Sequence, residues 1–276
     1  MGERVSEGLK RLEGKVAVVS GAGSVGEGYG TGKATSVLFG REGAKVVLVD
    51  NVEERAQEVK EEIEGEGGTA TVVVEELKDP SCGERIIAKA VEAYGTVDIL
   101  VNNAGYAKAI NIEKTDVQLF DDIFAVNVRA PFFLIKAALP VMVANGGGAV
   151  MSITSITALR GQGGDGFTAY ASSKAALIGM TSDLADAYGK YGIRFNAIAP
   201  GLIASPHQSK AIVESEGKGE KASQAPGFNL ADKTMLGRTG DAWDIARAVL
   251  FLCGPEGAYI TGHHLPVDGG AVMRTH

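Results

Sequence analysis

Short, wholly apolar runs rich in β-branched residues recur along this chain, and each is followed by a longer amphipathic stretch. The runs are Val16–Val19, Val46–Val49, Thr71–Val74, Ile99–Val101 and Ala149–Met151, and Arg194–Ala199 continues the series with Arg194 and Asn196 in it. A strand that is apolar on both sides needs cover on both faces, and helices supply that cover in a parallel sheet. Helix-like segments lie between the runs, from Asn51 to Gly65, Pro80 to Tyr94, Asp116 to Ala144 and Ala169 to Tyr191. Repeated strand–helix alternation predicts an α/β fold, a doubly wound parallel sheet of about seven strands flanked by helices. No linker, repeat or low-complexity tract divides the chain, so residues 1–276 are expected to form a single domain.

The first run leads into Ser20-Gly21-Ala22-Gly23-Ser24-Val25-Gly26-Glu27-Gly28-Tyr29-Gly30-Thr31-Gly32. A glycine-rich turn between a first strand and a helix lets backbone N–H groups approach a pyrophosphate at the helix N-terminus. A glycine cluster alone is as readily a flexible turn; its position after the first strand is what suits a Rossmann unit. The second run ends in Asp50. Its carboxylate can accept hydrogen bonds from the adenosine ribose and would repel a 2′-phosphate carrying roughly −1.5 to −2 charges. The next residue is Asn51 and not an arginine. NAD is therefore expected over NADP. Asp50 can equally cap the helix starting near Val52, and the two roles can coexist.

Tyr170 and Lys174 stand four residues apart on one predicted helix. Such residues share a face. An ammonium beside a phenol favours the phenolate, whose ordinary pKa is about 10, and makes the tyrosine a candidate proton-transfer group. The bland reading of that spacing is a solvated helix pair.

Composition narrows the function classes. A net charge of −7 without a basic run argues against nucleic acid. No apolar run approaches the roughly 18 residues that span a membrane, and the N-terminus lacks an apolar leader. The two cysteines, Cys82 and Cys253, are far apart, which fits a reducing cytoplasm and gives no reason to expect a metal. His263-His264 fall on a strand, where neighbours point to opposite faces, and a structural role is expected of them. Trp243 is expected to pack at the start of a late helix, with Asp241 and Asp244 suiting its dipole.

From Leu12 to Gly270 the chain resembles the short-chain dehydrogenase/reductase family. The glycine loop is followed in order by Asn102-Asn103-Ala104-Gly105, Asn127, Ser155, Tyr170/Lys174 and Pro200-Gly201-Leu202-Ile203-Ala204-Ser205-Pro206. The resemblance implies a catalytic set. Tyr170 would transfer the proton at a substrate hydroxyl or carbonyl oxygen, and Lys174 would lower its pKa and hold the nicotinamide ribose. Ser155 would hydrogen-bond the substrate oxygen, and Asn127 would hold a water relaying protons from the lysine. The resemblance also implies a cofactor cradle. Gly21, Gly23, Gly30 and Gly32 would face the pyrophosphate, Asp50, Asn51, Glu76 and Leu77 the adenosine. Asn103, Ala104 and Gly105 would lie along its middle, and Pro200, Gly201, Ile203 and Ser205 beside the nicotinamide.

Several positions depart from the family's usual pattern. The glycine turn is longer, which aligns Gly30 and Gly32 with the family's last two glycines and leaves Gly26 and Gly28 as an insertion. Long loops also occur in the enoyl-reductase branch, but the four-residue Tyr170–Lys174 step argues against it. Glu75-Glu76 stands where an aspartate usually faces the adenine, and Thr154-Ser155 replaces the usual Ser-Ser. Residues about 205–235, with balanced charges from His207 to Lys233, resemble a substrate lid. Tyr106, Gln162, Asp165, Phe167 and Leu202 are candidates to line the pocket, with ordinary loop packing the equal alternative.

These readings lead to an NAD-dependent oxidoreductase interconverting a secondary alcohol and a ketone. The alternatives are a 3-oxoacyl or other carbonyl reductase using NAD(P)H and a non-catalytic NAD-binding protein. The resemblance further implies a homotetramer built from the helices carrying Asn127 and Tyr170 and from the C-terminal strand.

Overall fold

The computed structural model describes residues 9–161, 166–206 and 230–274. In chain order its strands are β1 (Val16–Ser20), β2 (Lys45–Asp50), β3 (Thr69–Val74), β4 (Ile99–Asn102), β5 (Gly148–Ile153), β6 (Ile193–Pro200), β7 (Ile203–Ala204), β8 (Gly240–Asp241) and β9 (His264–Val267). Seven of them form one sheet in the order β3-β2-β1-β4-β5-β6-β9, and every pairing is parallel. β7 and β8 pair separately. The order reverses between β1 and β4. That switch point leaves a crevice at the carboxyl ends of the strands, where α/β sheets bind ligands.

Helices cover both faces, as the apolar strands demand. On one face Val37 and Phe39 of α1 (Thr31–Arg41), Val59 and Ile63 of α2 (Glu53–Gly65) and Val249 and Leu252 of α7 (Ala242–Cys253) pack against Ala17, Val46, Leu48 and Val101. On the other, Ile86 of α3 (Cys82–Tyr94), Leu134 and Met142 of α5 (Ala130–Ala144) and Ala185 of α6 (Thr168–Tyr188) pack against Val18, Val47 and Leu100. Arg194 on β6 points its guanidinium at the end of α7 and donates to the carbonyls of Leu252, Cys253 and Gly257. Leu252 and Cys253 are in the last turn of α7, whose carbonyls lack intrahelical donors, so a partly buried cation meets them usefully.

Helix boundaries differ from the sequence reading by about two residues at two N-termini. The Asp50 carboxylate accepts the Val52 N–H at 3.1 Å, and the Asp79 carboxylate accepts the Ser81 N–H at 2.8 Å. Each bond holds a short turn ahead of its helix and delays the start. At the other end of α6, residues 189–191 form a 3₁₀ turn in place of more α-helix.

The predicted helix from Asp116 to Ala144 is two α-helices, α4 (Val117–Phe124) and α5, joined by a π-helical turn at Ala125–Arg129. Pro131 explains the widening. It has no N–H to give the Asn127 carbonyl four residues back, and its ring crowds that carbonyl. The Ala130 N–H instead reaches back five residues to the Ala125 carbonyl. Together, Val117–Ala144 is long and apolar enough to cross a membrane by length and composition, contrary to the sequence expectation. Its apolar content has another explanation: Ile123, Ala130, Leu134, Ala138 and Met142 are buried in this fold.

Candidate active site

The carboxyl ends of the strands bring the candidate residues together. At the end of β1 the chain turns through Gly21, whose φ is +63°. A Cβ there would lie 2.8 Å from the Ala104 Cα. Gly32, in the first turn of α1, packs so closely that a Cβ would lie 1.9 Å from the Gly21 carbonyl oxygen. Gly30 is the N-cap of α1; no side chain caps it, and the first turn carries no acidic residue. The positive end of an eleven-residue helix therefore opens toward the crevice, which suits a pyrophosphate. Gly26 and Gly28 form an excursion before it and face Pro206. This agrees with reading them as an insertion.

Asp50 closes the same loop from the side, because its Oδ2 accepts the Gly23 N–H at 3.0 Å. A side chain at Gly23 would strike both that carboxylate and Arg55. The Arg55 contact is made by its Cβ and main chain, on the first turn of α2. Asn51 and Glu76 face each other across the ends of β2 and β3, with Asn51 Nδ2 3.5 Å from the carboxylate. Leu77 is buried in the core, so its side chain is turned away from the crevice.

Asn103 faces the glycine loop and spends its amide on protein. Its Nδ2 donates to the Ser20 and Gly21 carbonyls, and its Oδ1 accepts from the Thr31 hydroxyl at 2.7 Å. The Ser20 hydroxyl accepts the N–H groups of Asn103 and Ala104. These bonds fasten the end of β4 to the start of α1.

Ser155 follows β5 with an extended backbone, accepts the Thr157 N–H at 3.2 Å, and has its hydroxyl near enough to the Tyr170 phenol to favour the phenolate. Lys174, one turn further along α6, is 3% exposed and donates to the Ile153 carbonyl at 2.8 Å. Behind it, Asn127 is fully buried. It accepts the Tyr106 N–H at 2.7 Å and donates to the Tyr106 carbonyl and the Ser173 hydroxyl, each at 2.9 Å. Ser173 in turn donates to the Tyr170 carbonyl at 2.7 Å. Gly105 leaves room for the lysine, since a Cβ there would sit 3.3 Å from Lys174 Nζ. Asn127, Ser155, Tyr170 and Lys174 thus form one connected group. Pro200, Gly201, Ile203 and Ser205 follow at the end of β6, with Gly201 pressed against Asp268 and Ile203 buried. Of the candidate pocket residues, Phe167 stands edge-on to the Tyr170 ring at 6.0 Å. Gln162, Asp165 and most of the candidate lid lie outside the described residues.

Comparison with known proteins decides the family. A family model described as enoyl-(acyl carrier protein) reductase matches residues 25–272. The 3-oxoacyl-[acyl-carrier-protein] reductase FabG of Thermotoga maritima is 34% identical over 263 residues, covering 95% of this chain and 100% of that protein. The chain belongs to the short-chain dehydrogenase/reductase family. A solved structure from Burkholderia xenovorans, assigned to the short-chain dehydrogenases/reductases, superposes with a TM-score of 0.86 at 33% identity, covering 96% of this chain and 99% of that one. Another, from Beutenbergia cavernae, is described as an NAD(P)-dependent gluconate 5-dehydrogenase with bound NADP at low occupancy. It gives a TM-score of 0.84 at 30% identity over 97% of this chain and 100% of that one.

In this short-chain dehydrogenase/reductase the electrostatics of the tyrosine differ from the sequence expectation. Burial pushes the Tyr170 phenol above its ordinary value, and the Ser155 hydroxyl acts in the opposite direction. The lowering influence therefore comes from the serine rather than from Lys174. The lysine Nζ lies 5.7 Å from the centre of the Tyr170 ring and directs its hydrogen bond at Ile153. Burial also pushes Lys174 down to about 8. Desolvation thus brings Lys174 toward neutral pH and carries the Tyr170 phenol away from it.

Proposed function

We propose that this oxidoreductase interconverts a secondary alcohol and a ketone, with NAD as the hydride carrier and Tyr170 as the proton-transfer group. The observation that carries the reading is the Tyr170 phenol, with Ser155 acting on it, one helical turn from the almost wholly buried Lys174. A cofactor-binding module needs no such proton-transfer pair. The uncapped N-terminus of α1 and the Asp50 carboxylate fit a dinucleotide, and the nicotinamide supplies the hydride acceptor when bound. Ser155 then orients the substrate oxygen and stabilises charge on it. Tyr170 takes the proton from an alcohol or returns it to a ketone. Lys174 takes a ribose hydroxyl. Asn127 has both amide hydrogens engaged, so its main-chain carbonyl, which Pro131 cannot fill, is the group that holds the relay water.

Chemistry at C=O rather than C=C is favoured because Tyr170 and Lys174 share one helical turn beside Ser155. Reduction of a 3-oxoacyl group is the second reading, supported by the likeness to the Thermotoga protein. Asp50 favours NAD, because its carboxylate would repel a 2′-phosphate. The same proposal takes residues 1–276 as one catalytic domain with a lid over about 205–235. Its partners are a small alcohol or ketone and further copies of the chain, as a homotetramer. Exposed Val117, Phe120 and Phe132 on the α4–α5 face support that assembly, and two buried free cysteines support a reducing cytoplasm. The purified protein incubated with a panel of secondary alcohols and NAD⁺ or NADP⁺ should form reduced nicotinamide, faster with NAD⁺. No turnover across the panel would reject the reaction, and equal rates with NADP⁺ would reject the role of Asp50.

A further inference from the structure

His264 lies on β9, at the edge of the sheet, and its ring reaches the catalytic neighbourhood from outside the Asn127–Ser155–Tyr170–Lys174 group. Its Nε2 is 2.7 Å from the hydroxyl of Thr154, which is 2% exposed and immediately precedes Ser155. The Thr154 hydroxyl has a single hydrogen, and the Ile198 carbonyl takes it at 2.9 Å. With that hydrogen on the Ile198 carbonyl, the Nε2–H tautomer of His264 donates to Thr154 Oγ1. Burial and neighbouring His263 lower the His264 pKa, which keeps the ring neutral near neutral pH. The Ile198 carbonyl also accepts the Thr154 N–H at 2.7 Å. Thr154 is therefore tied to β6 through its backbone and to β6 and β9 through its side chain.

We propose that His264 is a positioning residue for Ser155, acting through Thr154. Ser155 leaves β5 with φ −166° and ψ 153°, and among the described residues its hydroxyl accepts the Thr157 N–H and lies beside the Tyr170 phenol. The chain direction at Thr154 thus decides where the Ser155 hydroxyl points. Without the His264 bond the Thr154 side chain can rotate, and Ser155 is released from its place against Tyr170. The proposal rests on the reading of Ser155 and Tyr170 as the reacting pair, and adds a third strand to what aligns them.

Three variants test it: His264→Leu, which removes the donor; Thr154→Val, which removes the acceptor; and His264→Gln, whose side-chain N–H reaches to a similar place. Crystal structures of each give the Ser155–Tyr170 contact without any need for turnover. Where an alcohol of the panel reacts, kcat, KM and NAD⁺ affinity are measured as well. H264L and T154V should move the Ser155 hydroxyl away from the Tyr170 phenol relative to wild type and lower kcat roughly ten-fold, with NAD⁺ affinity unchanged. H264Q should restore both position and rate. An unmoved Ser155 hydroxyl in H264L, or an H264Q variant no better than H264L, overturns the proposal. Should wild type react with nothing, the crystallographic contact alone decides about His264, and only the assigned reaction falls.

Discussion

Replacing Lys174 with Met should make the protein more stable at neutral pH and remove a pH dependence that wild type shows. Lys174 is almost wholly buried and its pKa is pushed down to about 8 from 10.5. At about 1.4 kcal/mol per pH unit, keeping it charged in the folded state costs about 3 kcal/mol. The sign follows from proton counts. Between pH 8 and 10.5 the unfolded chain keeps the lysine proton while the folded chain releases it, so wild-type stability rises with pH across that window. Methionine has the length to fill the space and no charge to desolvate. It leaves the Ile153 carbonyl without its donor, which takes back about 1–3 kcal/mol. The variant should therefore gain up to about 2 kcal/mol at pH 7, and its advantage should shrink by about 3 kcal/mol on going to pH 10.5. Guanidinium unfolding of both proteins at fixed concentration, from pH 7 to 10.5, reads the difference directly. A difference that stays constant across that range would refute the account of a charged lysine held at a cost for function.

Two glycines give further predictions. Gly32→Ala should destabilise the protein by about 1–3 kcal/mol and weaken NAD⁺ binding, since its Cβ would lie 1.9 Å from the Gly21 carbonyl oxygen; thermal unfolding with and without NAD⁺ checks both effects. Gly105→Ala places a methyl group 3.3 Å from Lys174 Nζ and 3.8 Å from Asn127 Oδ1. Its kcat should fall roughly ten-fold or more while stability changes by less than about 1 kcal/mol, and steady-state rates beside a melting curve separate the two.

Much of this architecture is legible in the sequence because the determining signals are local. A run such as Val46–Val49 has only one comfortable place, inside a sheet covered on both faces, and Tyr170 and Lys174 must share a helix face wherever that helix packs. What is not legible depends on contacts between distant segments. The π turn at Asn127 needs the i to i+4 relation with Pro131 to be weighed against a helix that is otherwise uninterrupted. That missing donor was available in the sequence as a signal. Asn103 reads as a cofactor contact, yet its amide is consumed by Ser20, Gly21 and Thr31, which approach it only through the β1–β4 crossover. His264 reads in the sequence only as a structural strand residue, because its contact is with Thr154, far away along the chain. The direction of the Tyr170 pKa shift was misread for a similar reason: spacing shows that a lysine is near, but not that both groups are desolvated.

The central claim is that Tyr170 moves the proton in a hydride-transfer reaction. The most direct test is Tyr170→Phe, assayed for reduced nicotinamide with the best alcohol of the panel and, in parallel, for NAD⁺ binding by quenching of protein fluorescence. The account predicts loss of at least roughly 100-fold in turnover with NAD⁺ affinity nearly unchanged. Turnover close to wild type in the phenylalanine variant would contradict it.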